Sequence, residues 1–148
     1  MGFLEVRLVH NAAVILFLGN IITALFWAAH ARRTRELHSL GVIFDGIVES
    51  DRWLSLPAAL IVLVSGIAAA GRGGWPILGT GWILWSSISF ASSGLVFGLG
   101  VAPLQRRIRD LALRAEEAGD GWASVDRLYW KWKALGILSI AARSCRSR

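Results

Sequence analysis

Charge is absent from four stretches of the chain: positions 8–31, 53–71, 73–105 and 134–142 hold no Asp, Glu, Lys or Arg over 24, 19, 33 and 9 residues. All 26 charged side chains therefore sit in the remaining 63 positions. A helix in a soluble protein mixes charge into its apolar pattern because one face meets water. A helix surrounded by lipid cannot, since each charge near mid-depth costs about 2.5 to 3.5 kcal/mol. The first three stretches predict spanning helices at about 8–29, 53–70 and 82–102. At about 1.5 Å per residue, these reach about 33, 27 and 31 Å, enough for a hydrocarbon core of about 30 Å.

The intervening segments have a different rhythm. Between Glu36 and Arg52, Leu37, Leu40, Phe44, Ile47 and Val48 recur at helical spacing. His38, Asp45, Glu49 and Arg52 fall mostly on other faces, which predicts an amphipathic connector along the membrane surface with Asp45, Glu49 and Asp51 turned to water. Asp45 and Glu49 could pair with Arg106 and Arg107 of the later charged segment. Gly71-Arg72-Gly73-Gly74 and Trp75-Pro76 predict a tight turn between the second and third spans. Pro103 is expected to close the third span, after which Leu104, Ile108, Leu111 and Ala115 form a narrow apolar stripe in a highly charged helix. Arg106, Asp110 and Arg114 are placed there for i,i+4 pairing. Gly119-Asp120-Gly121 breaks that helix. In the last segment, Trp122, Tyr129, Trp130 and Trp132 with Lys131 and Lys133 resemble the headgroup-level start of a fourth span at about 128–142. Only nine uncharged residues follow before Arg143, about 14 Å of helix, so the segment is expected to be short, re-entrant or interfacial and the C-terminus truncated or altered.

The predicted fold class is all-α, a membrane helical bundle of three full spans and an incomplete fourth within one transmembrane domain, 1–148. A hydrophobic content of 55% agrees. The net charge of +6 does not signal nucleic-acid binding, because the basic residues flank the apolar runs. Four Lys or Arg lie between spans one and two, at least five after span three, and only Arg72 between spans two and three. By the positive-inside rule the N-terminus faces outwards. The 22-residue first run is too long for a cleavable signal peptide, and Val6 stands where a myristoylation signal wants Ser or Thr.

Candidate chemistry is sparse. Cys145 is the only cysteine, which removes an intramolecular disulfide and a cysteine metal cluster. His10 lies within the first span, where a histidine can ligate haem, relay a proton or bond a neighbouring helix. At 100° per residue it stands about 80° from Asn20 on the helix wheel, so the two can line one interface. A bis-histidine haem within one chain fails on distance: His30 is about 30 Å along the same helix, and His38 falls in the connector. The third span carries Gly94 and Gly98 as a GxxxG, with Ser89 and Ser93 able to hydrogen-bond across a close helix contact, either inside the bundle or with a second chain. No nucleophile elbow, phosphate loop or charge within a span points to an enzyme or an ion path.

LVHNAAVILFLGN at 8–20, DRWLSLPAALIVLVSG at 51–66, VAPLQRRI at 101–108 and YWKWKALG at 129–136 together resemble the bacterial integral membrane family known as domain of unknown function 2269. The resemblance runs to about Ile140 and implies a four-helix protein of the bacterial inner membrane. It implies no activity. The chain departs from the family at its end, where relatives continue apolar through a full fourth span. The expected function is that of a non-enzymatic bundle in the lipid bilayer, as a homodimer or part of a larger membrane complex, with no nucleic acid and no required cofactor. The alternative is a haem- or redox-associated protein using His10.

Overall fold

The computed structural model describes residues 2–76, 78–115 and 121–141 and is helical throughout, with no strand among the described residues. The helices are α1 (Phe3–Thr34), α2 (Leu37–Ser50), α3 (Leu56–Arg72), α4 (Gly81–Val96), α5 (Ala102–Ala115) and α6 (Trp122–Ala141). Two π-helical segments, Asp51–Ser55 and Phe97–Val101, join α2 to α3 and α4 to α5. Three long apolar helices result, Phe3–Thr34, Leu37–Arg72 and Gly81–Arg114, each long enough to cross a membrane. At 32, 36 and 34 residues they exceed the roughly 20 residues a span requires. Each predicted span, 8–29, 53–70 and 82–102, thus lies inside a longer helix.

Two expected boundaries are absent. The amphipathic segment before Arg52 is not a separate connector, because α2 passes into α3 through the first π segment. Pro103 does not end the third helix, which continues into α5. The physical reason is the same at both places. An i−5 bond precedes each proline, from Leu56 N–H to Asp51 O and from Ala102 N–H to Phe97 O. Pro57 and Pro103 each follow the donor of that bond by one residue. Proline removes one N–H and crowds the preceding turn, and a widened turn accommodates it without breaking the helix.

The chain divides into two compact units. The first comprises residues 1–22 and 50–90. Its buried side chains are few and small, Ala13, Ala58 and Ala70 among them, while Leu8, Ile15, Leu60, Val64 and Trp82 are exposed. That inversion suits a solvent of acyl chains. α3 ends at Gly73, with Gly74 at φ 71° and Trp75 N–H bonded back to Ala70 O, a left-handed glycine stop.

The second unit comprises residues 23–49 and 91–148 and holds a larger core. Leu40, Phe44 and Ile47 of α2 meet Ile108 of α5 and Val125, Tyr129 and Trp132 of α6. Of the helical stripes read in α2 and α5, Leu40, Phe44, Ile47 and Ile108 are buried, and Leu37, Val48, Leu104 and Leu111 are partly so. The aromatic residues of the last segment divide differently from a headgroup belt: Trp130 is exposed, whereas Tyr129 and Trp132 are buried, with Trp132 edge-on to Phe44 at 5.0 Å. Charged pairs lie beside this core. Asp45 is exposed, as read, and pairs with Arg109 at 3.3 Å instead of Arg106 or Arg107. Asp110 bonds its neighbour Arg109 at 2.9 Å, not the i±4 arginines. Arg32 bonds Asp126 at 2.7 Å, with its guanidinium over the rings of Tyr129 and Trp130. The C-terminal positions from 142, Cys145 and Arg143 included, lie outside the described residues.

Candidate functional site

Two sets of embedded polar contacts in the first unit are centred on α1, at His10 and at Asn20. His10, partly buried, has Nδ1 3.1 Å from Val62 O and 3.1 Å from Ser65 Oγ. A carbonyl oxygen can only accept, so in the bond to Val62 it is Nδ1–H that donates. The ring approaches α3 closely because position 66 is glycine: a Cβ there would stand 3.3 Å from His10 Cε1. Ser65 is itself buried and also donates to the carbonyl of Ile61 one turn back.

Ten residues further along α1, Asn20 donates from Nδ2 to Ser55 Oγ at 2.8 Å and to Asp51 Oδ1 at 3.2 Å. Ser55 in turn donates to the same carboxylate oxygen at 2.8 Å. Asp51 is only 7% exposed and Ser55 2%. Thus Asp51, expected to face water, is buried. The cause is the first π segment, which begins at Asp51 and ends at Ser55 and holds both side chains against Asn20. Asn20 lies well inside the uncharged run of α1, about 18 Å along the helix from Leu8 and about 14 Å from Ala29. The carboxylate lies opposite that run. His10 and Asn20 do line one interface, towards α3 and the π segment respectively. Asn11 and Thr23, the other polar residues of the run, are exposed.

Asp51 was the functional candidate missed from sequence. Its signal was present as DRWLS at 51–55, an acid and a serine four residues apart on one helix face, ahead of a proline. Beside Arg52, however, it resembles the charged border of a span.

Gly94 and Gly98 are exposed, and a Cβ at either would meet nothing within 4 Å. Ser89 and Ser93 are partly buried. Among the described residues, no group of three or more His, Cys, Asp or Glu is arranged to hold a metal ion.

The model of a family described as predicted integral membrane protein, DUF2269, matches residues 4–145. The chain belongs to this family. DUF2269 membership and three helices of spanning length make it an integral, multi-pass membrane protein. No curated protein and no solved structure matches the chain significantly. The DUF2269 description assigns no reaction, so the function must be argued from the side chains.

Proposed function

We propose that this DUF2269 chain is a non-enzymatic membrane bundle that works as a component of a larger membrane assembly. One observation carries the reading: the most deeply placed polar side chains of α1 are bonded to neighbouring helical segments. His10 bonds Val62 and Ser65, and Asn20, Asp51 and Ser55 form a closed triangle. Polar residues arranged this way hold helices in register. The open surface at Gly94 and Gly98, flanked by Ser89 and Ser93, supports a helix contact with a second copy or another membrane protein. The distribution of Lys and Arg supports an N-terminus outside the cytoplasm of a bacterial inner membrane.

A second reading, a haem-associated protein using His10, has one observation in its favour. With Nδ1 engaged by α3, the ring is held in place and Nε2 is the nitrogen left to ligate, the usual arrangement for a histidine ligand. Elemental and optical analysis of the chain purified from its native membrane separates the two. The bundle reading expects no stoichiometric metal and no Soret band. A Soret band lost in His10→Ala overturns it in favour of haem. Co-purification of the chain with other membrane proteins tests the assembly, and a lone monomer under mild extraction overturns that part.

A further inference from the structure

A groove of about 420 Å³ runs between α1 and α3. Val6 and Val9 form one wall, and Leu60, Ile61, Val64 and Ala68 form the other. Ser65 contributes the one polar group along its length, and Arg72 stands at its end. From Leu60 to Arg72 the α3 wall extends about 18 Å, close to the depth of one leaflet of a hydrocarbon core about 30 Å thick. A volume of this size is typical of a ligand site.

Arg72 decides the occupant. It is the only Asp, Glu, Lys or Arg between Trp53 and Gln105. It is exposed, and its hydrogen bond is to the Ala68 carbonyl of its own helix at 3.5 Å. Among the described residues no carboxylate pairs with it. On the α1 side, Arg7 is held over the Phe3 ring, and Glu5 accepts from the Gly2 amide. An apolar channel one leaflet deep, ending in an unneutralised guanidinium, complements a molecule with a long hydrocarbon tail and an anionic head. Guanidinium binds phosphate through paired, charge-assisted hydrogen bonds.

We propose that this groove seats one acyl chain of an anionic phospholipid whose phosphate is held by Arg72. A zwitterionic lipid fills the groove but brings its own cation beside the guanidinium, and a free anion meets Arg72 but leaves the channel empty.

The test uses the full chain in detergent, offered phosphatidylglycerol and phosphatidylcholine with identical acyl chains, with retained lipid counted by native mass spectrometry. Phosphatidylglycerol is expected to be retained roughly tenfold better, the scale of one charge-assisted contact. Arg72→Ala should abolish that preference. Ala68→Trp and Val9→Trp, which fill the groove from opposite walls, should lower retention of the anionic lipid. Glycerol 3-phosphate, the head without the tails, should not compete. Equal retention of the two lipids, a preference that survives Arg72→Ala, retention untouched by both filling variants, or full competition by glycerol 3-phosphate each overturns the proposal. Arg72 is exposed, so its variant remains informative even where a filling variant fails to fold by circular dichroism.

Discussion

Asp126 on α6 accepts a hydrogen bond from Arg32 Nε on α1 at 2.7 Å, joining residues 94 positions apart in the chain. That bond, together with the positive charges of Arg32 and Arg35, holds the Asp126 carboxyl below its ordinary range, against a smaller opposing effect of partial burial. A carboxyl whose folded pKa is depressed stabilises the fold above its unfolded pKa, and that contribution disappears as pH falls through the folded value. Thermal stability in detergent should therefore drop below about pH 4 more steeply in the wild type than in Asp126→Asn. Parallel pH profiles for the two proteins would contradict this.

Arg32 also lies over Tyr129 and Trp130, at 5.2 and 4.9 Å from the ring centroids. Arg32→Lys keeps the charge but loses the planar stacking and the fork of donors. A loss of about 0.5 to 1.5 kcal/mol is expected for Lys, with a larger loss for Ala. Denaturation of both variants in the same detergent measures the order.

Asn20→Ala removes a donor from a buried carboxylate and should cost roughly 1 to 3 kcal/mol. Asp51→Asn keeps the shape and an acceptor for Asn20 and Ser55, so its effect should be smaller. If the two variants melt in the opposite order, the triangle does not stabilise the helix pair in the way described.

Two glycines of α2 make a matched pair. A Cβ at Gly41 would stand 2.6 Å from Leu113 Cδ2 and 3.2 Å from the Leu113 backbone nitrogen, whereas one at Gly46 would meet nothing within 4 Å. Gly41→Ala is expected to destabilise by about 1 to 3 kcal/mol through overpacking. Gly46→Ala should stabilise by about 0.5 to 1 kcal/mol through helix propensity. Melting temperatures that move in the same direction would show that the packing at Gly41 is misread.

In the second core, Phe44 is fully buried and meets Trp132, whose indole Nε1 is buried with no hydrogen-bond partner among the described residues. Phe44→Ala should cost about 3 to 5 kcal/mol. Trp132→Phe loses some volume but also removes the unsatisfied donor, so it should be the milder change. Near-UV circular dichroism and melting together check the ranking.

The spanning helices were legible because charge is excluded from lipid in any fold, and the inner faces of α2 and α5 because Leu40, Phe44, Ile47 and Ile108 keep the helical period. Helix continuity was not. Asp51 and Pro57, like Val101 and Pro103, look like boundaries in a scheme that allows only 3.6-residue turns, and a π segment violates that scheme locally. Tyr129 and Trp132 were assigned to a headgroup belt because an aromatic residue at an interface and one in a core have the same composition. Their neighbour Phe44 lies more than eighty positions away. His10 was found because a lone histidine stands out in an apolar run, but its partners Val62 and Ser65 depend on how two distant helices register.

Asn20 precedes Asp51 by 31 residues, and ribosomes deliver the chain from its amino end. When the carboxylate reaches the insertion machinery, the amide that will receive it has already been made. A segment bearing Asp51 on its own meets a mid-helix penalty of about 2.5 to 3.5 kcal/mol. Handed over as a hairpin with α1, the same segment brings its acid to a waiting donor. The order of synthesis thus sets the donor in place before the acid that needs it.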